Sequence, residues 1–333
     1  MTRMTKTTRA TQPSPPITSG EEASSPFAPA RCLVTGGAGF IGSNLTRSLL
    51  AAGCEVTVVD DLSTGKREHL PADPRLTLVA ADLASWRGLP RLLARTDYVF
   101  HLAAQVGNVL SLTRTERDAR TNVLGTVRLL AACRGTGVKK LVYSSSSATF
   151  GEAQRLPIDE DHPQQPESFY ALSKLTAERY AGLAAELWGA PAVSLRYFNV
   201  YGLPMEDSEY TGVISIFFRR LQRGEALIVY GDGGQVRDFV QVGDVVRANL
   251  LAALHGRPGA VYNIGTGVAT SIAELARTRR EAAGREVEVL VQPARAGEVR
   301  RSVADIGRAR RELGYEPRIG LRQGLDEIWQ SLS

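Results

Sequence analysis

The sequence predicts an α/β fold class, a doubly wound parallel sheet followed by a smaller mixed α/β lobe toward the C-terminus. Three observations predict it. A glycine-rich turn, Thr35–Gly42 (TGGAGFIG), sits between the apolar run Cys32-Leu33-Val34 and the apolar-periodic segment Phe40–Ala52. Strand and helix patterns then alternate as far as Asn199, and beyond it the pattern changes to short strands among helices. Strand, glycine turn and helix form the setting of a dinucleotide-binding fingerprint. Gly36 permits the tight turn, Gly39 lets the backbone approach a pyrophosphate, and Gly42 lets the helix pack closely. The helix N-terminus offers unpaired N–H groups and partial positive charge to phosphate. The spacing is GxxGxxG rather than GxGxxG.

Taken in order, Glu55–Asp60 (EVTVVD) is a second buried strand ending in an acid, close to twenty residues after the turn. A carboxylate there accepts from an adenosine ribose and repels a 2′-phosphate, so NAD is preferred to NADP. An acid that merely caps the loop is the structural alternative, and Lys66 and Arg67 just downstream weaken the preference. Arg75–Ala80 reads as the third strand, followed by Asp82-Leu83. Thr96–Leu102 reads as the fourth, where His101 at a strand end reads as structural. Arg117–Cys133 is helical and carries Asn122 in TNVLGT. Val138–Ser144 is the fifth strand and runs into four consecutive serines. Such alternation implies a Rossmann-type parallel sheet with right-handed crossovers, its ligand at the carboxyl ends of the strands.

A helix over Phe169–Leu187, opened by Pro166-Glu167-Ser168, contains Tyr170 and Lys174. Residues four apart on a helix share one face. Ordinary helix surface is the alternative that this spacing leaves open. Lysine is scarce, however, with five in the chain against thirty-five arginines. A lysine kept where arginine would serve for an ion pair points to a need for a compact charge. Ala192–Asn199 is the sixth strand. After it come a helix at Val213–Arg223, a strand at Ala226–Tyr230, and another strand beginning Arg237-Asp238-Phe239-Val240. A helix over Gly243–Leu254, a strand at Val261–Ile264 and a helix capped by Ser271 with Glu274 follow. Glu286–Val291, Ser302–Leu313 and Leu321–Ser331 close the chain. The domain reading is therefore a tail at 1–29, a nucleotide-binding domain at 30–198 with sheet strands also drawn from about 237–265, and a lobe at 199–333.

Composition excludes other classes. With 43% apolar and 23% charged residues the chain is an ordinary globular protein. No apolar run approaches the roughly 18 to 20 residues of a membrane span. Cys32, Cys54 and Cys133 are scattered in apolar contexts, which argues for buried thiols in a reducing cytoplasm, with no disulfide frame and no metal site. The net charge of +5 is carried by arginines set beside glutamates along helices, a solvated surface and not a nucleic-acid footprint, which would interleave aromatics. Residues 1 to about 29, rich in Thr, Ser and Pro, cannot bury enough surface to offset chain entropy and read as a disordered tail. They lack the apolar stretch of a secretory signal.

TGGAGFIG, Asp60, HLAA, TNVLGT, SSSSATFG, YALSK, RYFNVYG, YGDGGQVRDFV and RAGEVRRSVAD, in this order, resemble the extended short-chain dehydrogenase/reductases, in which the GxxGxxG turn recurs. The chain is most similar to their NAD-dependent sugar-nucleotide epimerase/dehydratase branch, closest to UDP-hexose 4-epimerases, from about Arg31 to Trp329. The resemblance implies a catalytic trio of Ser146, Tyr170 and Lys174. It implies pyrophosphate contacts from Gly36, Gly39, Phe40, Ile41 and Gly42, and ribose contacts from Asp60, Asp61 and Ser63 with Gly65 beside them. Asp82 and Leu83 would flank adenine. Leu102, Ala103, Ala104, Gln105, Asn122 and Phe198 complete the dinucleotide contacts. For the UDP-sugar substrate it implies Ser147, Asn199, Ile228, Tyr230 on the uracil, Arg237 and Arg295 on the diphosphate, Glu298 on the uridine ribose, and Ser302 where a bulky aromatic would restrict the sugar. It also implies a homodimer joined as a four-helix bundle by the Asn122 and Tyr170 segments.

Dehydratases of this branch place an Asp-Glu pair after the catalytic Ser/Thr, and decarboxylases keep the Glu. Here the positions are Ser147 and Ala148, neither ionisable. The expectation is simple inversion at C4, with dehydration or decarboxylation as the alternative within the branch. An NAD-binding regulatory protein is the alternative outside it. Lys174 and a cationic nicotinamide ring are expected to draw the Tyr170 phenol down from its ordinary pKa near ~10. Phe150 departs from the tyrosine common before that glycine and leaves the trio untouched.

Overall fold

The computed structural model describes residues 27–205, 212–282, 287–294 and 299–332. Its centre is a seven-stranded sheet built from β1 (Arg31–Thr35), β2 (Glu55–Asp60), β3 (Leu76–Ala80), β4 (Tyr98–His101), β5 (Lys140–Ser146), β6 (Ala192–Tyr197) and the later strand Val261–Ile264. The order across the sheet is Val261–Ile264, β6, β5, β4, β1, β2, β3, and every pairing is parallel. The direction of winding reverses between β1 and β4, which opens a crevice at their carboxyl ends.

Both faces of the sheet are covered, which is why its strands read as nearly continuous apolar runs. Cys32, Val34, Val56, Val58, Phe100 and Val142 point into one core, shared with α1 (Phe40–Ala51) and the helix Val242–His255. Leu33, Val59, Val99, Leu141 and Tyr143 point into the other, beneath the helices Gly125–Cys133 and Phe169–Trp188. A third core in the C-terminal half gathers Phe217, Phe218, Leu221, Leu227, Leu275 and Leu325. Arg279 is buried there with its guanidinium 3.6 Å from the Phe218 ring centre, and burial lowers its pKa to about 10.

The structure corrects several boundaries. Residues 1–26 of the expected tail lie outside the described residues, but Phe27 is buried, its ring 5.2 Å from that of Tyr98. One aromatic docked on β4 suffices to anchor the last residues of a polar segment. β5 runs on to Ser146, two residues beyond its expected end, because β6 pairs with Ser144, Ser145 and Ser146. The expected strand at Arg237–Val240 is divided at Asp238. Val236–Arg237 pairs with Thr270–Ser271 and Arg301–Ser302, whereas Phe239–Gln241 pairs with Asn199–Tyr201, so neither piece joins the main sheet. Asp238 itself is buried and accepts from the N–H groups of Thr266, Gly267 and Ala304 and the Thr266 hydroxyl.

Arg117–Cys133 is likewise not one regular helix: a π-helical turn, Ala119–Leu124, separates Thr115–Asp118 from Gly125–Cys133. Ser302 belongs to a short strand and Gly307–Leu313 to a helix, and Val303, Ile306, Ala309 and Leu313 are buried, the last three in the main core.

Between β6 and the Phe169–Trp188 helix lies a buried ion pair. Arg196 donates to both oxygens of Glu178 at 2.7 and 2.9 Å and to the Glu160 carbonyl at 2.9 Å. Removing one member leaves the other charged and buried. Arg196→Ala should therefore cost about 3–5 kcal/mol, against less than about 1 for Arg155→Ala at the exposed Arg155–Asp159 pair. Urea midpoints of the two variants check this, and similar shifts would count against the assignment.

Candidate active site

The crevice at the switch point is made by a close approach of backbones. Gly36 has φ +68°, and a Cβ there would stand 2.6 Å from the Ala103 nitrogen. Only glycine permits both the dihedral and the contact. A Cβ on Gly42 would meet the Gly36 carbonyl oxygen at 2.1 Å, so this glycine packs α1 against the turn itself. Gly39 is the N-cap of α1 and provides no side-chain cap, leaving the N–H groups of Phe40 and the first turn directed at the crevice. At the end of β2 the Asp60 carboxylate accepts from the N–H groups of Ala38 and Leu62, both at 2.9 Å, and a Cβ on Gly65 would press on it at 3.0 Å.

Around this rim stand the other expected cofactor residues. Asp61 accepts from the Ser63 hydroxyl at 2.5 Å. Asp82, with buried Leu83 beside it, takes two hydrogen bonds from Arg120 at 2.8 and 3.2 Å. Leu102 and Ala103 continue β4, their N–H groups bonded to the Thr35 carbonyl and hydroxyl. Ala104 follows, and the Gln105 N–H donates to Asn122 Oδ1 at 2.8 Å. Phe198 is buried beyond β6, its ring 6.5 Å from that of Phe150.

Beneath the rim His101 is fully buried. Its Nδ1 lies 2.7 Å from the Thr35 hydroxyl and its Nε2 2.8 Å from the Thr126 hydroxyl. Thr126 donates to the Asn122 carbonyl, so it accepts from His101, which places the ring proton on Nε2. Burial pushes the His101 pKa down to about 3 and keeps it neutral. Its role is structural.

Ser146 ends β5 and Tyr170 opens the Phe169–Trp188 helix, whose first turn is capped by Ser168 accepting from the Ala171 N–H at 3.0 Å. The extended strand and the cap bring Ser146 and Tyr170 to the same end of β5, where the Ser146 hydroxyl acts to lower the pKa of the Tyr170 phenol. Lys174, one turn on, turns its Nζ to Ser144 Oγ at 3.5 Å and to the face of Tyr143, 4.8 Å from the ring centre. Burial pushes Tyr170 up to about 12, the Ser146 hydroxyl working against it, and pushes Lys174 down to about 7. The expected downward pull on the phenol is thus opposed by burial. Ser147 and Ala148 begin a short 3-10 turn beside the trio and bring no ionisable group.

Asn199, Ile228, Tyr230 and Arg237 line one cleft of about 280 Å³ in the C-terminal half. Ser302 pairs in register with Arg237 and is buried. Partners in a parallel ladder point to the same face, so Ser302 faces the cleft side. Arg295 and Glu298 lie outside the described residues.

Residues 32–265 match the NAD dependent epimerase/dehydratase family. The chain belongs to this family. It is 39% identical to a UDP-glucose 4-epimerase of Mycolicibacterium smegmatis over 301 residues, 89% of this chain and 96% of the relative. The UDP-glucose 4-epimerase of Thermotoga maritima, solved with UDP-glucose, superposes with a TM-score of 0.87 at 39% identity, covering 91% of this chain and 98% of that one. A UDP-N-acetylglucosamine 4-epimerase of Methanobrevibacter ruminantium, in complex with UDP-N-acetylmuramic acid, gives 0.88 at 33% identity over the same shares.

The crevice fits the family's NAD. Side chains at Gly36 and Gly42 would close it, the α1 N-terminus is uncapped, and an acid stands at the ribose position. The family's sequence motifs did not disclose Thr35 and Thr126 as partners of His101, although both lie inside quoted motifs. Arg220 and Phe217, which also line the cleft, carried no signal beyond helix amphipathicity, and Gln235 lay inside the motif YGDGGQVRDFV without being singled out.

The position of Asp60 generates a test. A 2′-phosphate would set a second anion against its carboxylate, so NAD should bind more tightly than NADP, and Asp60→Ala should narrow the difference. Direct titration of both cofactors checks this, and equal affinities for the unsubstituted protein would count against it.

Proposed function

We propose that this chain is an NAD-dependent UDP-sugar 4-epimerase, inverting C4 of a UDP-hexose of the glucose/galactose, N-acetylhexosamine or uronic acid type through a transient 4-keto sugar. One observation carries the reading: the helix that carries Tyr170 and Lys174 begins beside the end of β5 that carries Ser146, while Ser147 and Ala148 supply neither acid nor base. When bound, NAD⁺ supplies the acceptor and donor of the C4 hydride, and its positive ring favours the phenolate. Tyr170 takes the O4 proton and gives it back, and Ser146 holds O4 by a hydrogen bond. Lys174 contributes the protein's own positive charge. Gly36, Gly39, Ile41 and the α1 N-terminus cradle the pyrophosphate, and Asp60 with Asp61 and Ser63 holds the adenosine ribose. Tyr230 stacks on uracil and Arg237 meets the diphosphate, for which a planar fork is suited. Arg295 and Glu298 complete the nucleotide site by resemblance. Ser302 leaves room for a substituent larger than hydroxyl.

A homodimer is supported by an exposed apolar stripe along the Tyr170 helix, Leu172, Tyr180, Leu183 and Leu187, with Val109 and Leu112 also exposed nearby in sequence to the Asn122 segment. Stripes of this kind mark interfaces. A cytoplasmic location rests on three free, buried thiols. No described helix is long and apolar enough to cross a membrane.

Incubation with UDP-glucose, UDP-N-acetylglucosamine and UDP-glucuronate should yield 4-epimers of unchanged mass. Tyr170→Phe should lower turnover by ~10²-fold or more with UDP-sugar binding nearly intact, and Ser302→Tyr should exclude the larger substrates selectively. Loss of water or carbon dioxide, read by mass spectrometry, would move the chain to another branch of the family. Sedimentation should show a dimer that Leu183→Glu converts to monomer; a monomeric parent protein would remove the bundle.

A further inference from the structure

Lys174 is the most confined cation of the site, 3% exposed. A ring face at 4.8 Å and one hydroxyl at 3.5 Å are weak partners for an ammonium with three donors. Burial favours its neutral form. The titratable groups around it come from each neighbouring element. His101 on β4 is neutral, and Tyr143 on β5 and Tyr170 on the same helix are phenols raised above their ordinary range. Glu178, one turn on, is held by Arg196 through two hydrogen bonds and by the Ser145 hydroxyl at 2.6 Å, so its charge is compensated in place. Asp118 is different.

Asp118 is 1% exposed and immediately precedes the π turn. Such turns are rare and recur at functional sites. Its Oδ1 accepts from Asn122 Nδ2 at 3.1 Å, and the same nitrogen donates to Ser173 Oγ at 2.9 Å, next to Lys174. The Ser173 hydroxyl donates to the Tyr170 carbonyl at 3.0 Å. Asp118 Oδ2 is buried with no hydrogen-bond partner. A carboxylate in that position is costly to bury unless a cation faces it.

We propose that Asp118 is a positioning residue for Lys174, its buried carboxylate being the counter-charge that keeps the lysine protonated. The proposal rests on the epimerase reading only for its consequence, since a charged Lys174 is what favours the Tyr170 phenolate. The sign follows directly. Ionised Asp118 raises the pKa of Lys174 against burial; burial raises the pKa of Asp118, and Lys174 works against that rise. Removing the carboxylate lets the lysine lose its proton at lower pH, and the loss of activity on the alkaline side should move down with it.

The scarcity of lysine makes the charge directly observable. Protein labelled with ¹³C at lysine Cε has five such carbons, and Lys174→Met identifies the signal of Lys174. In Asp118→Asn, which keeps the shape and an acceptor for Asn122, the Lys174 midpoint should fall by about one pH unit or more, a tenfold loss of proton affinity. Asp118→Glu should recover part of it. The reciprocal measurement uses Lys174→Met, in which the Asp118 carboxyl carbon should titrate about one unit higher. A Lys174 midpoint unmoved in folded Asp118→Asn overturns the proposal. Should that variant not fold, an unmoved Asp118 midpoint in Lys174→Met overturns it instead. Neither readout depends on turnover, so coupled titration in a protein that fails to epimerise would remove the proposed function and leave the ion relation standing.

Discussion

The site depends on a column of buried hydrogen bonds that runs from the Ala103 N–H through Thr35, His101 and Thr126 to the Asn122 carbonyl. It fastens the π turn and the helix after it to the ends of β1 and β4, which are themselves neighbours in the sheet with Thr35 opposite His101. The donors alternate without conflict only when His101 carries its proton on Nε2. A charged ring would donate at both nitrogens and break the order. Burial keeps the ring neutral well below physiological pH, so the column does not switch as the site works. Gly36 can press against Ala103 because this column fixes the two strand ends at that distance.

Around the column the charges are arranged unequally. Arg196 and Glu178 neutralise one another deep between β6 and the Tyr170 helix, with good geometry on both oxygens. Desolvation offsets much of such a pair's attraction, so its net contribution to stability is small beside the cost of breaking it. On the same helix Lys174 stands over Tyr143. Lys174 is left with a ring face and one hydroxyl, and no described carboxylate bonds its ammonium.

The C-terminal half contributes in two ways that its linear order conceals. Val261–Ile264 completes the sheet, and Ile306, Ala309 and Leu313 return to the main core. Before the first of these visits the chain builds most of the cleft, including Tyr230 and Arg237. Asp238 forms the joint. Its buried carboxylate gathers backbone N–H groups from Thr266, Gly267 and Ala304, and so ties the cleft's strand to the two segments that return to the main core.

The sequence by itself determined the parallel α/β architecture, the glycine turn, the acid ending β2, the family, and the residues expected to form the trio. The architecture, the turn and the acid are written in local patterns, apolar period and turn residues at fixed offsets, whereas the family and the trio rest on the resemblance of nine motifs in order. Tertiary structure alone decided where β5 ends, because its last residues are strand only by pairing with β6. It alone split the strand at Asp238, docked Phe27 on Tyr98, and set Asp118 beside the lysine's helix through Asn122 and Ser173. The physical reason is common to these cases. Each depends on which distant segment supplies the hydrogen-bond partner or the covering side chain, and no window of sequence contains both members of such a contact.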